Sequence, residues 1–185
     1  MIGRIAAGLC VCGFAATALA AEAPLVRPAR DVDVTYKVPV AAPASGQSVA
    51  TLQRLRYSVA LQKQRLDLPT SGTWMELDFA AGRLYAVRDS SREIVDLPAP
   101  PNALQPGGGA GFVREGSAVV AGQPCTEWRT RDTRGAETIA CYTADGVLLR
   151  AMADGHVMTE AVSVNYASQP MGVFALPEGY SHQQK

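Results

Sequence analysis

The side chains able to do chemistry are few and far apart. The chain carries two histidines, His156 and His182, and four cysteines, Cys10, Cys12, Cys125 and Cys141. A zinc site needs close ligand pairs such as C-x-x-C or H-x-x-x-H, and neither spacing occurs. No serine stands in a G-x-S-x-G elbow, the strained turn that exposes a nucleophile. A serine–histidine–acid site would have to use His156, just after a hairpin turn, or His182, near the end of the chain. Neither position holds a base in place, so a hydrolase ranks third among the functions considered and the chain is read as a non-enzyme. Gly107, Gly108, Gly109 and Gly111 form a glycine-rich run, but no Lys-Ser or Lys-Thr follows it. That argues for a loop over a phosphate cradle.

Two carboxylate pairs, Asp31 with Asp33 and Glu76 with Asp78, project from single strand faces. Such pairs could hold a hard cation, but carboxylates alternating with apolar residues ordinarily form the solvated face of a sheet. The solvated face is the expectation, with no metal and no cofactor. Trp74 and Trp128 sit among polar neighbours, where a tryptophan either marks a binding face or caps the end of a core.

The start of the chain sets the compartment. Arg4 precedes an uncharged run of small and apolar residues that ends in Ala18-Leu19-Ala20. That is the layout of a secretory signal with an A-x-A cleavage site, which predicts a mature chain beginning at Ala21, periplasmic or secreted. Acylation at Cys10 or Cys12 is the alternative, but Leu9 and Val11 stand where a lipoprotein peptidase needs a small side chain. Cleavage leaves Cys125 and Cys141, which in an oxidising compartment read as one disulfide. No later segment is apolar and long enough to span a bilayer. With 17 basic and 17 acidic residues, the chain has no bulk charge to attract nucleic acid.

The elements that must position these residues read as strands. Val32, Val34, Tyr36 and Val38 alternate with polar residues, and so do Leu55, Tyr57, Val59 and Leu61, Leu66 and Leu68, and Met75, Leu77 and Phe79. Turn residues separate such stretches throughout residues 31–166, including Asp145-Gly146 and Asp154-Gly155. The pattern predicts an antiparallel sheet of about ten strands with one wet and one buried face and little helix. It comprises one β-rich domain over residues 31–180, preceded by an extended segment at 21–30 and followed by a disordered tail at 181–185. Residues 98–111, rich in Pro, Gly and Ala, read as a mobile loop suited to act as a lid.

The close Val173-Phe174-Ala175-Leu176-Pro177-Glu178-Gly179-Tyr180 resembles the F-x-x-P-x-G-Y ending of bacterial envelope proteins of the lipoprotein-carrier-like (LolA-like) group. The earlier order is also similar: Leu55-Arg56-Tyr57 on a strand, Gly82-Arg83-Leu84-Tyr85 after a tight turn, and Ala121 to Trp128 ahead of Cys141. The resemblance implies a strongly curved antiparallel sheet, an unclosed half-barrel, whose apolar concave face is covered by helices or a loop and binds acyl chains. This chain lacks an obvious amphipathic N-terminal helix, so something else must shield that face. The leading expectation is a periplasmic binding or chaperone-like protein. Its apolar or lipid-like ligand would lie against Leu55, Tyr57, Val59, Met75, Leu77 and Phe79. The rival is a structural or interaction module with a self-filled core that docks on an envelope protein partner.

Overall fold

The computed structural model describes residues 23–41, 48–101, 111–131 and 135–184. The expected signal, residues 1–20, and most of the expected lid loop, residues 98–111, lie outside them. The strands are β1 (Val32–Ala41), β2 (Ser48–Ser58), β3 (Lys63–Leu68), β4 (Thr73–Asp78), β5 (Arg83–Arg88), β6 (Glu93–Pro98), β7 (Val113–Val120), β8 (Gln123–Arg131), β9 (Glu137–Tyr142), β10 (Leu148–Ala153), β11 (His156–Asn165) and β12 (Ser181–Gln184). All twelve form one sheet in the order β12-β6-β5-β4-β3-β2-β1-β11-β10-β9-β8-β7. Two meanders, β1 to β6 and β7 to β11, are fused where β1 pairs with β11. The end strands β12 and β7 are not joined, so the curved sheet remains unclosed. No helix among the described residues is long and apolar enough to cross a membrane.

Local chemistry makes the turns. Asp154 and Gly155, with φ of 50° and 75°, both take the left-handed conformation that a two-residue hairpin between β10 and β11 requires. In the β2–β6 half the pairing is regular. Leu55 stands opposite Leu66 and Leu66 opposite Met75, while Tyr57 stands opposite Gln64 and Gln64 opposite Leu77. The register shifts fall in the other half, between β1 and β11, β10 and β11, β9 and β10, and β7 and β8. Each bulge adds local twist. In the resulting core, Val120, Cys125, Cys141 and Leu149 pack with Val32 and Val34. Cys125 and Cys141 are joined, with Cα atoms 5.5 Å apart. Cys141 stands opposite Glu127 in the register, so the bond runs diagonally between β8 and β9 rather than directly across.

The structure corrects the expectation of a disordered tail. Ser181–Gln184 pairs in parallel with β6, and the Ser181 N–H donates to the Arg92 carbonyl (2.9 Å). Without this strand β6 would be an open edge with unpaired backbone groups, which is why the domain continues past residue 180. The segment leading there crosses the outer face of the sheet. Arg65 lies over the Trp74 ring (3.7 Å) and donates to the Val173 carbonyl (2.8 Å). Beyond the 3-10 turn Met171–Phe174, Leu176 and Tyr180 pack on a second small core of Trp74, Val87 and Ile94. Both tryptophans are buried, Trp128 edge-on to Phe112, so each belongs to packing and not to an exposed binding face.

The solvated reading of Glu76 is overturned as well. Its side chain is 0% exposed and accepts from Lys63 Nζ (2.7 Å), with Asp78 3.3 Å from the same ammonium. Burial raises the Glu76 carboxyl above its ordinary value, and the Lys63 hydrogen bond only partly opposes this. Asp33 pairs with Arg54, and Asp31 accepts from the backbone N–H of Val59 (2.8 Å) and of Gln169 (3.0 Å). These carboxylates organise chain segments; among the described residues no group of His, Cys, Asp and Glu is arranged to hold a metal.

Candidate functional site

Alternation along adjacent strands sends every second side chain to the concave face, and there the sheet leaves a cavity of about 390 Å³. Tyr36 and Val38 of β1, Leu55 of β2 and Leu66 of β3 make its apolar wall. Gln53, Gln64 and Thr159 add two amides and a hydroxyl, and Tyr142, Val147 and Leu148 close the far side. The Tyr36 hydroxyl donates to the Leu148 carbonyl (2.6 Å), tying β1 to β10 at the edge of the cavity. Burial pushes the Tyr36 phenol well up, so it stays neutral and remains a donor. Tyr142 is raised by burial too.

The remaining wall comes from Val26 and Pro28 of the N-terminal arm, residues 23–31, which forms no strand. Side chains and one backbone hydrogen bond hold the arm. Arg27 lies over the Phe79 ring (3.8 Å) and Arg30 over the Tyr166 ring (3.5 Å). Arg30 Nε also donates to Asp145 (2.6 Å), and the Ala29 N–H donates to the Asp145 carbonyl (2.8 Å). Tyr166 donates to the same carboxylate (3.1 Å), which Thr143 also bonds. Sequence reasoning assigned the arm no role. The available signal was Leu25-Val26-Arg27-Pro28, apolar and cationic residues placed ahead of a sheet that lacks cover.

Gly146 shows how closely the arm lies. A Cβ there would stand 2.3 Å from the Arg27 carbonyl oxygen, and the residue's φ is +87°. Gly146→Ala is expected to displace the arm and to strain the turn, costing about 1 kcal/mol or more from the backbone conformation alone. Limited trypsinolysis at Arg30 should accelerate in this variant; an unchanged cleavage rate would contradict the placement.

The latch has a definite pH dependence. Burial raises the Asp145 carboxyl, but hydrogen bonds from Thr143, Arg30 and Tyr166 outweigh it and hold the group below its ordinary value of 3.8. A depressed folded value means the contribution is complete above that ordinary value and is lost as pH falls through the lower folded one. The arm is therefore expected to stay seated at neutral and mildly acid pH and to loosen only below about pH 4. The check is the exchange protection of the Ala29 amide across that range.

The six residues expected to line a ligand site are distributed unequally. Leu55 lines the cavity. Tyr57 is buried, with Phe79 edge-on to it at 6.0 Å beneath Arg27. Met75 and Leu77 continue the same face outside the cavity, half-buried. Val59 falls beyond the end of β2 and is 41% exposed. Part of the concave face is thus filled by the chain itself and part is open.

No family model matches the sequence, and neither does any curated protein. Solved structures do match its shape. An uncharacterised conserved protein from Thermus thermophilus aligns at 12% identity and TM-score 0.60, over 84% of this chain and 91% of that one. A MucA/MucB complex from Pseudomonas aeruginosa aligns at 14% identity and TM-score 0.49, over 78% of this chain and 55% of that one. MucB alone aligns at 11% identity and TM-score 0.44, over 84% of this chain and 60% of that one. At these identities the Thermus likeness establishes a shared fold.

Proposed function

We propose that this chain is an exported binding or chaperone-like protein that holds one apolar or amphipathic chain in its concave cavity and does no covalent chemistry. The cavity's lining carries the reading: its apolar wall is joined by two amides and hydroxyls, with no carboxylate, histidine, lysine, arginine or cysteine among the described residues that line it. A volume near 390 Å³ lies at the small end of the roughly 300–1,000 Å³ of ligand sites, which suits one alkyl chain better than a two-chain lipid. Burying about ten methylenes at about 0.8 kcal/mol each supplies roughly 8 kcal/mol of gross driving force, from which the cost of association is subtracted. The Cys125–Cys141 bond supports a working place in an oxidising compartment.

The test is a titration of the exported chain with cis-parinaric acid, a fluorescent fatty acid. Saturable binding near one equivalent is expected, weakened at least about tenfold by Leu55→Trp, which fills the cavity wall at a cost of well over one methylene's worth of contact. A control, Val119→Trp at an exposed position of β7, should leave it unchanged. Equal binding by all three proteins would overturn the assignment.

A second reading, docking on an envelope protein partner, is favoured by the β1–β2 hairpin. Pairing of β1 with β11 ends at Lys37 and pairing of β2 with β3 ends at Arg54. The ribbon continues beyond both, with Val40, Val49 and Leu52 exposed.

A further inference from the structure

We propose that residues 24–30 are a displaceable gate over the concave cavity, so that an entering apolar chain takes the place of Val26 and Pro28. This regulation rests on the cavity reading above. The arm adds no strand to the sheet, so its removal breaks no ladder of backbone hydrogen bonds. It is fastened by side chains, Arg27 on Phe79 and Arg30 on Asp145 and Tyr166, and by a single backbone hydrogen bond from the Ala29 N–H to the Asp145 carbonyl. Segments held this way, with much of their own surface wet, open at a small fraction of the free energy of global unfolding. Leu25 is 54% exposed and Arg30 and Ala29 are exposed as well, so the cover is a single chain thick.

What lies beneath explains both closure and opening. Under the arm the wall runs from Leu55 to the buried Tyr57 and its neighbour Phe79. Left bare, that surface would put several large apolar side chains in water, so an empty protein keeps the arm seated. An alkyl chain laid along the same wall replaces the apolar contacts of Val26 and Pro28 like for like. The exchange then costs little beyond the latch contacts, and those set the rate of entry.

The test compares the exported chain with the Arg27→Gln/Arg30→Gln variant, whose changes lie on the arm and leave the sheet intact. Tyr166→Phe, which removes one hydrogen bond to Asp145 and keeps the ring, is the second variant. Stopped-flow association of cis-parinaric acid is expected to quicken by about tenfold or more in the double variant, the scale of losing charge-assisted hydrogen bonds, and to a lesser degree in Tyr166→Phe. Hydrogen exchange should rise over residues 24–30 while β1, β2 and β3 keep their protection. Increased exchange with unchanged association rates would overturn the gate while leaving the cavity reading intact. Unchanged exchange in both variants would overturn the latch. Increased exchange with no uptake of the probe by any of the proteins would overturn the cavity reading, and the gate with it.

Discussion

Lys63→Met is expected to destabilise the protein by about 3 kcal/mol at neutral pH, the cost of breaking one side of a buried ion pair. The substitution removes the ammonium that Glu76, wholly buried, bonds at 2.7 Å. The other oxygen of Glu76 has no hydrogen-bond partner among the described residues, so no second bond compensates the charge. The carboxyl would then keep its proton, and holding it from near 4.5 to pH 7 costs about 1.4 kcal/mol per pH unit, which gives the same figure. The penalty should shrink as pH falls toward 4.5. Wild type is expected to show a muted form of the same linkage. A raised carboxyl means that the folded state retains a proton the unfolded chain has lost, so stability declines as pH rises through that window. Lys63 behaves oppositely in origin: burial lowers it, but Glu76 and Asp78 more than offset this and raise it. Its contribution is complete below 10.5 and is lost as pH rises through the higher folded value. Urea denaturation of Lys63→Met and of Lys63→Met/Glu76→Met across pH provides the check. The double variant should recover most of the loss, since a well-packed apolar pair can replace a buried ionic one. The pair matters to the site because it locks β3 to β4; a slip of one residue would turn Leu66 away from the cavity.

Removing the disulfide is the second large effect. Cys125 and Cys141 are separated by 16 positions, and a loop of about that length contributes roughly 3 kcal/mol in the chain-entropy treatment. Cys125→Ala/Cys141→Ala should lower stability by about that amount, a large share of the roughly 5–15 kcal/mol typical of a domain. Both cysteines are buried, at 5% and 1% exposure, so reductant should act on wild type only as the protein opens. Reduction much faster than unfolding would contradict this. The neighbourhood couples the staple to the site, since Cys141 adjoins Tyr142, which closes one side of the cavity.

The strand pattern was legible because alternation is a local property of sequence. Val32, Val34 and Tyr36, or Met75 and Leu77, declare a face before any partner is known. The cysteine pair was legible from count and compartment. What the sequence did not reveal lies in contacts between distant segments. Glu76 looks like any carboxylate on a wet face, yet it is wholly buried and bonded to Lys63 of the neighbouring strand, and nothing near residue 76 in the sequence signals that burial. Ser181 to Gln184 has no apolar periodicity; it becomes a strand because β6 offers an open edge. The arm is legible only as a run of apolar and arginine residues, since its meaning depends on Phe79, Asp145 and Tyr166, all remote in the chain. Leu55 was found because it lies on an alternating strand, whereas Tyr142 and Thr159 reach the same cavity from strands whose register shifts hide their face.

Whether the concave cavity takes a single apolar chain is measured most directly by methyl-resolved NMR of the protein titrated with dodecanoate. The expected result is a set of shifts confined to Val26, Val38, Leu55, Leu66, Val147 and Leu148, saturating near one equivalent, with exposed Val119 and Met171 unmoved. Shifts absent from the cavity methyls, or scattered over the exposed surface without saturation, would contradict it.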